Sequence, residues 1–201
     1  MKLMVQIPCY NEAGTLPEVL RDIPKSIEGI SVIEVLIIDD GSTDETVAVA
    51  RQHGVQHIVS HKANKGLARS FQSGIERCIE LGADIIVNTD GDNQYAGSSI
   101  PDLVRPIVEG KADVVIGDRQ PGRNTDFSLL KRLLQRLGSA VVRHVARVDV
   151  GDAVSGFRAY SRDAALKINV MTSFSYTTET LIHVGQQGLL VKSVHVDTNP
   201  V

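Results

Sequence analysis

The chain has 201 residues, enough for one domain with a well-buried core, and 42% of them are hydrophobic and 22% charged. The formal net charge is −3, and no nucleic-acid partner is expected. The N-terminus runs straight into a strand-like segment with no signal-peptide pattern, and no apolar run reaches the ~20 residues that a transmembrane helix needs.

The charge is uneven. Residues 127–148 contain no acid but carry Lys131, Arg132, Arg136, Arg143 and Arg147, so the rest of the chain is more acidic than the total suggests. One basic segment on an acidic protein implies a localised anionic partner. The two cysteines, Cys9 and Cys78, are too far apart for a disulfide framework or a metal spacing, and they read as buried thiols in a reducing compartment.

In chain order, residues 3–7 form a short apolar strand ending at Pro8-Cys9-Tyr10-Asn11-Glu12. Thr15 and Glu18, with Pro17 between them, spell a capping box, and Leu16, Val19, Leu20 and Ile23 follow at helical spacing. Residues 32–38 form a second strand, nearly all apolar as in a sheet covered on both faces, and it ends in Asp39-Asp40-Gly41-Ser42. Ser42 and Glu45 spell another capping box for a helix to about residue 53, with Gly54 as its stop. A short third strand over 56–60 leads through a loop containing Asn64 and Gly66 into a helix over 67–81, closed by Gly82.

A fourth strand, 84–88, ends in Thr89-Asp90-Gly91-Asp92-Asn93-Gln94. Two carboxylates this close at the carboxyl end of a buried strand repel one another, and a divalent cation relieves the repulsion. Carboxylate and amide oxygens suit Mg²⁺ or Mn²⁺. A solvated turn accounts equally well for the stretch taken alone, since Asp, Gly and Asn are ordinary turn formers. A helix to about residue 109 and a fifth strand, 113–117, follow, the latter ending in Asp118-Arg119.

Beyond a polar loop at 120–126, residues 128–148 read as a basic amphipathic helix, suited either to a membrane surface or to a core with a solvated basic face. After Gly151-Asp152 come a strand near 157–161, a short helix over 162–168, a helix over 177–187 and a last strand over 189–196. Alternating strands and helices imply an α/β domain with a mostly parallel central sheet flanked by helices. Ligands bind such sheets at the carboxyl ends of their strands. The chain contains neither a phosphate-binding Gly-x-x-x-x-Gly-Lys-Ser/Thr loop, nor Gly-x-Gly-x-x-Gly, nor a Gly-x-Ser-x-Gly elbow.

Six motifs occur in order: Pro8-x-Tyr10-Asn11-Glu12, Asp39-Asp40-Gly41-Ser42-x-Asp44, Asn64-x-Gly66, Asp90-x-Asp92-x-Gln94, Gly117-x-Arg119 and Asp152-x-x-Ser155-Gly156-Phe157-Arg158. Together they resemble a family 2 glycosyltransferase of the GT-A fold, in the polyprenyl-phosphate branch typified by dolichol-phosphate mannose synthase and its bacterial relatives. The resemblance implies an inverting transfer of a sugar from a nucleotide-diphosphate sugar to a polyprenyl phosphate, at the cytoplasmic face of a membrane. It implies a donor half (1–119) and an acceptor half (120–201). Pro8, Tyr10, Asn11, Glu12, Asp39, Asp40, Asn64, Gly66 and Asp90 would hold the nucleotide, and Asp90, Asp92 and Gln94 would hold Mg²⁺ or Mn²⁺. Arg119, Lys131, Arg132, Arg136, Ser155 and Arg158 would grip the acceptor phosphate. Asp152 joins Asp92 and Arg119 as a catalytic candidate, as a base or as an orienting group for Arg158 or the sugar. Two further readings stay open: a hydroxyl acceptor in surface-polysaccharide synthesis, and a non-catalytic nucleotide-sugar-binding module.

Overall fold

The structure is a computed structural model and describes residues 1–119, 150–170 and 176–199. Seven strands form one sheet: β1 (Lys2–Cys9), β2 (Val32–Asp39), β3 (His57–Ser60), β4 (Ile85–Asn88), β5 (Val114–Asp118), β6 (Arg158–Ser161) and β7 (Val191–His195). Their order is β3-β2-β1-β4-β6-β5-β7. Only β6 runs against its neighbours, pairing antiparallel with both β4 and β5. It comes from the second half of the chain and inserts between two strands of the first, so both halves build one sheet.

Helices cover both faces: α1 (Leu16–Asp22), α2 (Thr46–Gln52), α3 (Leu67–Glu80), α4 (Ile100–Val108), α5 (Arg162–Lys167) and α6 (Tyr176–Gln186), with a 3₁₀ turn at Gly97–Ser99. β1 shows why its near-continuous apolar run suits this position. Leu3, Val5 and Ile7 pack into one core with Leu16, Leu103 and Val104, while Met4 enters the other with Phe71, Ile75 and Leu181. Strand side chains alternate in direction, so a strand between two helical layers must be apolar on both faces.

Both expected capping boxes fail in the same way. Thr15 sits at the N-cap of α1 without capping it; its hydroxyl donates to Glu12 Oε2 at 2.8 Å and to the Gly91 carbonyl at 2.7 Å. α2 begins at Thr46, and Ser42 lies in the preceding loop, where its Oγ accepts from the Asn11 N–H at 3.0 Å. These hydroxyls tie the strand-end loops to one another instead of closing helix ends. The glycine stops hold: Gly54 and Gly82 follow their helices with φ of +73° and +77°, a conformation that other residues resist.

Candidate active site

The loops after β1, β2, β3 and β4 meet at the carboxyl edge of the sheet around a cavity of about 290 Å³. Seven of the nine residues expected to hold a nucleotide line it: Pro8, Tyr10, Glu12, Asp40, Asn64, Gly66 and Asp90. Asn11 and Asp39 stand behind it. Asn11 adopts φ +58°, and its Oδ1 accepts the Thr43 N–H at 2.8 Å. Asp39 is buried, and its Oδ1 accepts the Ser42 N–H at 3.0 Å. Both shape the loops that carry the lining.

Asp40 organises the far wall. Its carboxylate receives His61 Nδ1 at 2.7 Å, the Lys65 N–H at 2.9 Å and the Gly66 N–H at 2.8 Å. Burial works to raise its pKa; the hydrogen bonds from His61, Lys65 and Gly66 outweigh it and hold the carboxyl below the usual range. His61 also reaches Ser73 Oγ at 3.1 Å on α3, so Asp40 and His61 together fix the loop that delivers Asn64 and Gly66. Sequence reasoning assigned His61 no such role.

A second cavity of about 280 Å³ adjoins the first, and Leu67 and Asp90 line both. Arg119 lies against its wall. The guanidinium donates to Asp152 through Nε (Oδ2, 2.7 Å) and Nη2 (Oδ1, 3.3 Å), and through Nη1 to Gln94 Oε1 at 3.1 Å. It also stands 5.6 Å from the centre of the Tyr95 ring. Asp152 is fully buried, with both oxygens engaged by Arg119. It orients Arg119, not Arg158 as one reading of the sequence had it.

Two expected acceptor ligands are corrected by burial. Arg158 is fully buried; its Nε donates to the Ser155 carbonyl, Nη1 to the Thr177 carbonyl and Thr180 Oγ1, and Nη2 to the Ala153 carbonyl, at 2.7–2.8 Å. Ser155 is buried as well, and its Oγ accepts the Phe157 N–H at 3.3 Å. Arg158 locks the 153–158 segment to α6, and both side chains are engaged inside the protein. Lys131, Arg132 and Arg136 lie outside the described residues.

A buried polar chain supports the junction from beneath. Gln6 Nε2 donates to Asn88 Oδ1 at 2.9 Å, and Asn88 Nδ2 donates to the Gly156 carbonyl at 2.9 Å and to the Tyr176 hydroxyl at 3.2 Å. The Gly156 N–H donates to the Tyr95 hydroxyl at 3.2 Å. A methyl group on Gly156 would stand 2.8 Å from the Tyr176 hydroxyl and 3.1 Å from Asp90 Oδ2, so only glycine fits beside the carboxylate. Sequence reasoning missed Gln6, Asn88, Tyr95 and Tyr176. Gln6 alone carried a signal, as a polar residue inside an otherwise apolar strand.

Strand-end acids around one cavity, joined to an arginine-bearing second cavity, suit group transfer between two bound molecules. The sequence pattern of glycosyl transferase family 2 matches residues 4–168. The chain belongs to this family. As a glycosyltransferase it is 27% identical over 180 residues to the UDP-N-acetylglucosamine–dolichyl-phosphate N-acetylglucosaminyltransferase of Methanococcus voltae, with 81% of this chain and 70% of that protein covered. It is 28% identical over 188 residues to the undecaprenyl-phosphate mannosyltransferase of Micrococcus luteus, covering 88% and 74% respectively. Its fold matches that of glucosyl-3-phosphoglycerate synthase from Mycobacterium tuberculosis, crystallised with Mn²⁺, UDP and phosphoglyceric acid, at a TM-score of 0.77 and 20% identity over all of this chain and 71% of that one.

The glycosyltransferase's Asp90 and Asp92 fit a divalent cation. Burial, then the Asp92 charge, pushes the Asp90 carboxyl up to about 6; Arg119 opposes the shift and Glu12 adds to it. A hard cation would relieve both the burial of this charge and its crowding by Asp92. Asp92 is exposed, with Oδ1 accepting the Gln94 N–H at 3.0 Å. Gln94 itself turns its amide oxygen to Arg119. Among the described residues no cluster of three or more His, Cys, Asp or Glu is arranged for a metal. The donor set on offer is therefore two carboxylates, which suits a Mg²⁺-type ion completed by substrate phosphate and water.

Proposed function

We propose that this glycosyltransferase moves a sugar, with inversion, from a nucleotide-diphosphate sugar to a polyprenyl phosphate. The observation that carries the acceptor class is the make-up of the second cavity. Among the described residues Arg119 offers the one cation in a wall that also contains Asp90, Gln94, Tyr95, Tyr176 and Thr177, while Leu67 and Val154 stand half-exposed around it. An arginine fork suits a phosphate, and aliphatic lips suit a hydrocarbon chain attached to it. The lipid-phosphate names of two relatives agree with this reading.

The nucleoside would occupy the first cavity, between Tyr10, Glu12 and the Asn64–Gly66 loop. The diphosphate would point to the junction at Asp90 and Asp92. Mg²⁺ or Mn²⁺ held there would neutralise the leaving diphosphate. The acceptor phosphate oxygen attacks the anomeric carbon from the second cavity as the bond to the diphosphate breaks, and the nucleoside diphosphate leaves with the electron pair. One displacement inverts the centre. A phosphate monoester has its second pKa near ~6 and is mostly dianionic at neutral pH, so the nucleophile needs no general base. Asp152 then has the task its geometry allows, holding Arg119 toward the acceptor.

In this reading residues 1–119 serve the donor, and the acceptor cavity is shared between that part, through Leu67, Tyr95 and Arg119, and the later chain, through Val154, Tyr176 and Thr177. The basic segment 127–148 would bring the protein to a membrane's cytoplasmic face. No helix among the described residues is long and apolar enough to cross a bilayer. The test is nucleoside diphosphate release from a panel of nucleotide sugars, with and without Mn²⁺, and with either a short-chain polyprenyl phosphate or a sugar hydroxyl acceptor. Release stimulated by both the ion and the lipid phosphate is expected. Release stimulated only by the hydroxyl acceptor would move the enzyme to surface-polysaccharide synthesis.

A further inference from the structure

Among the described residues, the charged side chains lining the first cavity are all acidic: Glu12, Asp40, Asp90 and Asp92. A diphosphate entering it meets no lysine or arginine among the described lining residues, and like charges that close repel. The missing positive element is present in the backbone. α3 is 14 residues long and begins at the junction of the two cavities, where Leu67 lines both. Its N-cap, Gly66, makes no side-chain cap, and the first turn contains no acid.

The bonds made there leave donors over. The Lys65 and Gly66 N–H groups go to the Asp40 carboxylate, while Arg69 N–H and Ser70 N–H go to the Gly66 carbonyl. Among the described residues the N–H groups of Leu67 and Ala68 have no acceptor. Ser70 supplies an independent sign of a ligand: it lines the same cavity, is 1% exposed, and among the described residues its hydroxyl has no hydrogen-bond partner. Buried polar groups in native proteins are almost always paired, and an orphan at a cavity wall is explained by a partner that arrives from outside. Side chains in a helix lean toward its N-terminus, which turns Ser70 toward the same first turn.

We propose that the first turn of α3, through the Leu67 and Ala68 N–H groups with the Ser70 hydroxyl, is an anion subsite for the sugar-proximal phosphate of the donor, complementary to the Asp90–Asp92 pair. Unpaired N–H groups and the helix dipole together make such a terminus attractive to phosphate. Asp40 sits behind this turn, and three hydrogen bonds disperse its charge. The proposal rests on the nucleotide-sugar reading above and names the groups that hold its phosphate.

The experiment measures binding of UDP, GDP, UMP and GMP to the wild type, Leu67→Asp, Leu67→Asn and Ser70→Ala, in Mg²⁺ and without acceptor. Leu67 is exposed, so an aspartate is accommodated, and an acid in the first turn favours the helix itself. Leu67→Asp is expected to weaken the preferred nucleoside diphosphate about tenfold while its monophosphate changes far less and the Tm holds or rises. Leu67→Asn, which adds no charge, should lose far less diphosphate affinity than Leu67→Asp, and Ser70→Ala should weaken the diphosphate severalfold with no loss of Tm. Wild-type diphosphate affinity in both Leu67→Asp and Ser70→Ala would overturn the subsite, and so would losses accompanied by a lower Tm. If the wild type binds none of the four nucleotides, the donor reading itself falls and takes the subsite with it.

Discussion

The two cavities are built by different means. The first cavity is assembled from strand-end loops fastened by side chains that bond to the backbone of the same or an adjoining loop: Asn11 to Thr43, Asp39 to Ser42, Asp40 to Lys65 and Gly66. The second cavity is held by side chains that reach across the sheet between the earlier and later parts of the chain, with Arg119 fixed by Asp152, Gly156 by Tyr95, and Asn88 tied to Tyr176. The first kind of wall is written in short motifs, and the second only in the folded sheet. Substitutions should therefore separate into those that spoil chemistry in a stable protein and those that spoil the acceptor side by unfolding it.

The largest effect on chemistry is expected at Asp92, which is exposed and contributes little to packing. Asp92→Ala should lower transfer on the order of 10³-fold with an unchanged Tm, as expected for loss of a metal ligand facing a leaving diphosphate. Asp152→Asn should cost far less if Asp152 orients Arg119, and kcat with Arg119 still paired is the measurement that separates that role from a base.

Next in size is the contrast between the two arginines. Arg158→Ala removes the donors to Ser155, Thr177, Thr180 and Ala153 from a fully buried site and should cost about 3 kcal/mol of stability, seen as a fall in denaturation midpoint. Arg119→Lys, which keeps a cation beside the buried Asp152 but loses the guanidinium fork, should leave the midpoint closer to wild type and raise the KM for acceptor phosphate. Equal destabilisation by the two would erase the distinction between ligand-facing and structural arginine.

A smaller structural effect is expected at Gly156. The added methyl in Gly156→Ala presses on the Tyr176 hydroxyl and the Asp90 carboxylate, for about 1–3 kcal/mol, with donor and acceptor affinities falling together.

These positions show how much of the molecule could be read from the chain. The α/β order and the glycine stops follow from periodicity and local backbone preference, which are sequence-local. The Thr89–Gln94 stretch is ambiguous as a turn or a metal site when taken alone, and the fold sets it beside three other acid-bearing or amide-bearing loops at the same sheet edge. Thr15 and Ser42 were misread because a capping box is a local pattern, and loops brought from elsewhere competed for the same hydroxyls. Arg158 was misread because a motif names a residue without giving its direction; the antiparallel insertion of β6 turns it into the core under α6. Tyr176 lies 88 residues from the Asn88 it supports, and no spacing rule connects them.

The smallest effect is in pH dependence. The Asp40 carboxyl is held below its ordinary range in the folded protein. Its contribution is therefore fully present above the unfolded carboxylate value of about 4 and is lost as pH falls through the lower folded value. The stability difference between wild type and Asp40→Asn should be flat above about pH 4 and shrink below it. A difference that instead grows on acidification would contradict the hydrogen bonds drawn from His61, Lys65 and Gly66.

The most direct measurement is NMR of the product formed from the preferred nucleotide sugar, Mn²⁺ and a short-chain polyprenyl phosphate. The expected product is a sugar joined to the lipid through a new phosphodiester, with anomeric configuration opposite to that of the donor. Retained configuration, or a sugar attached only to a hydroxyl acceptor, would contradict a single displacement by a phosphate held at Arg119.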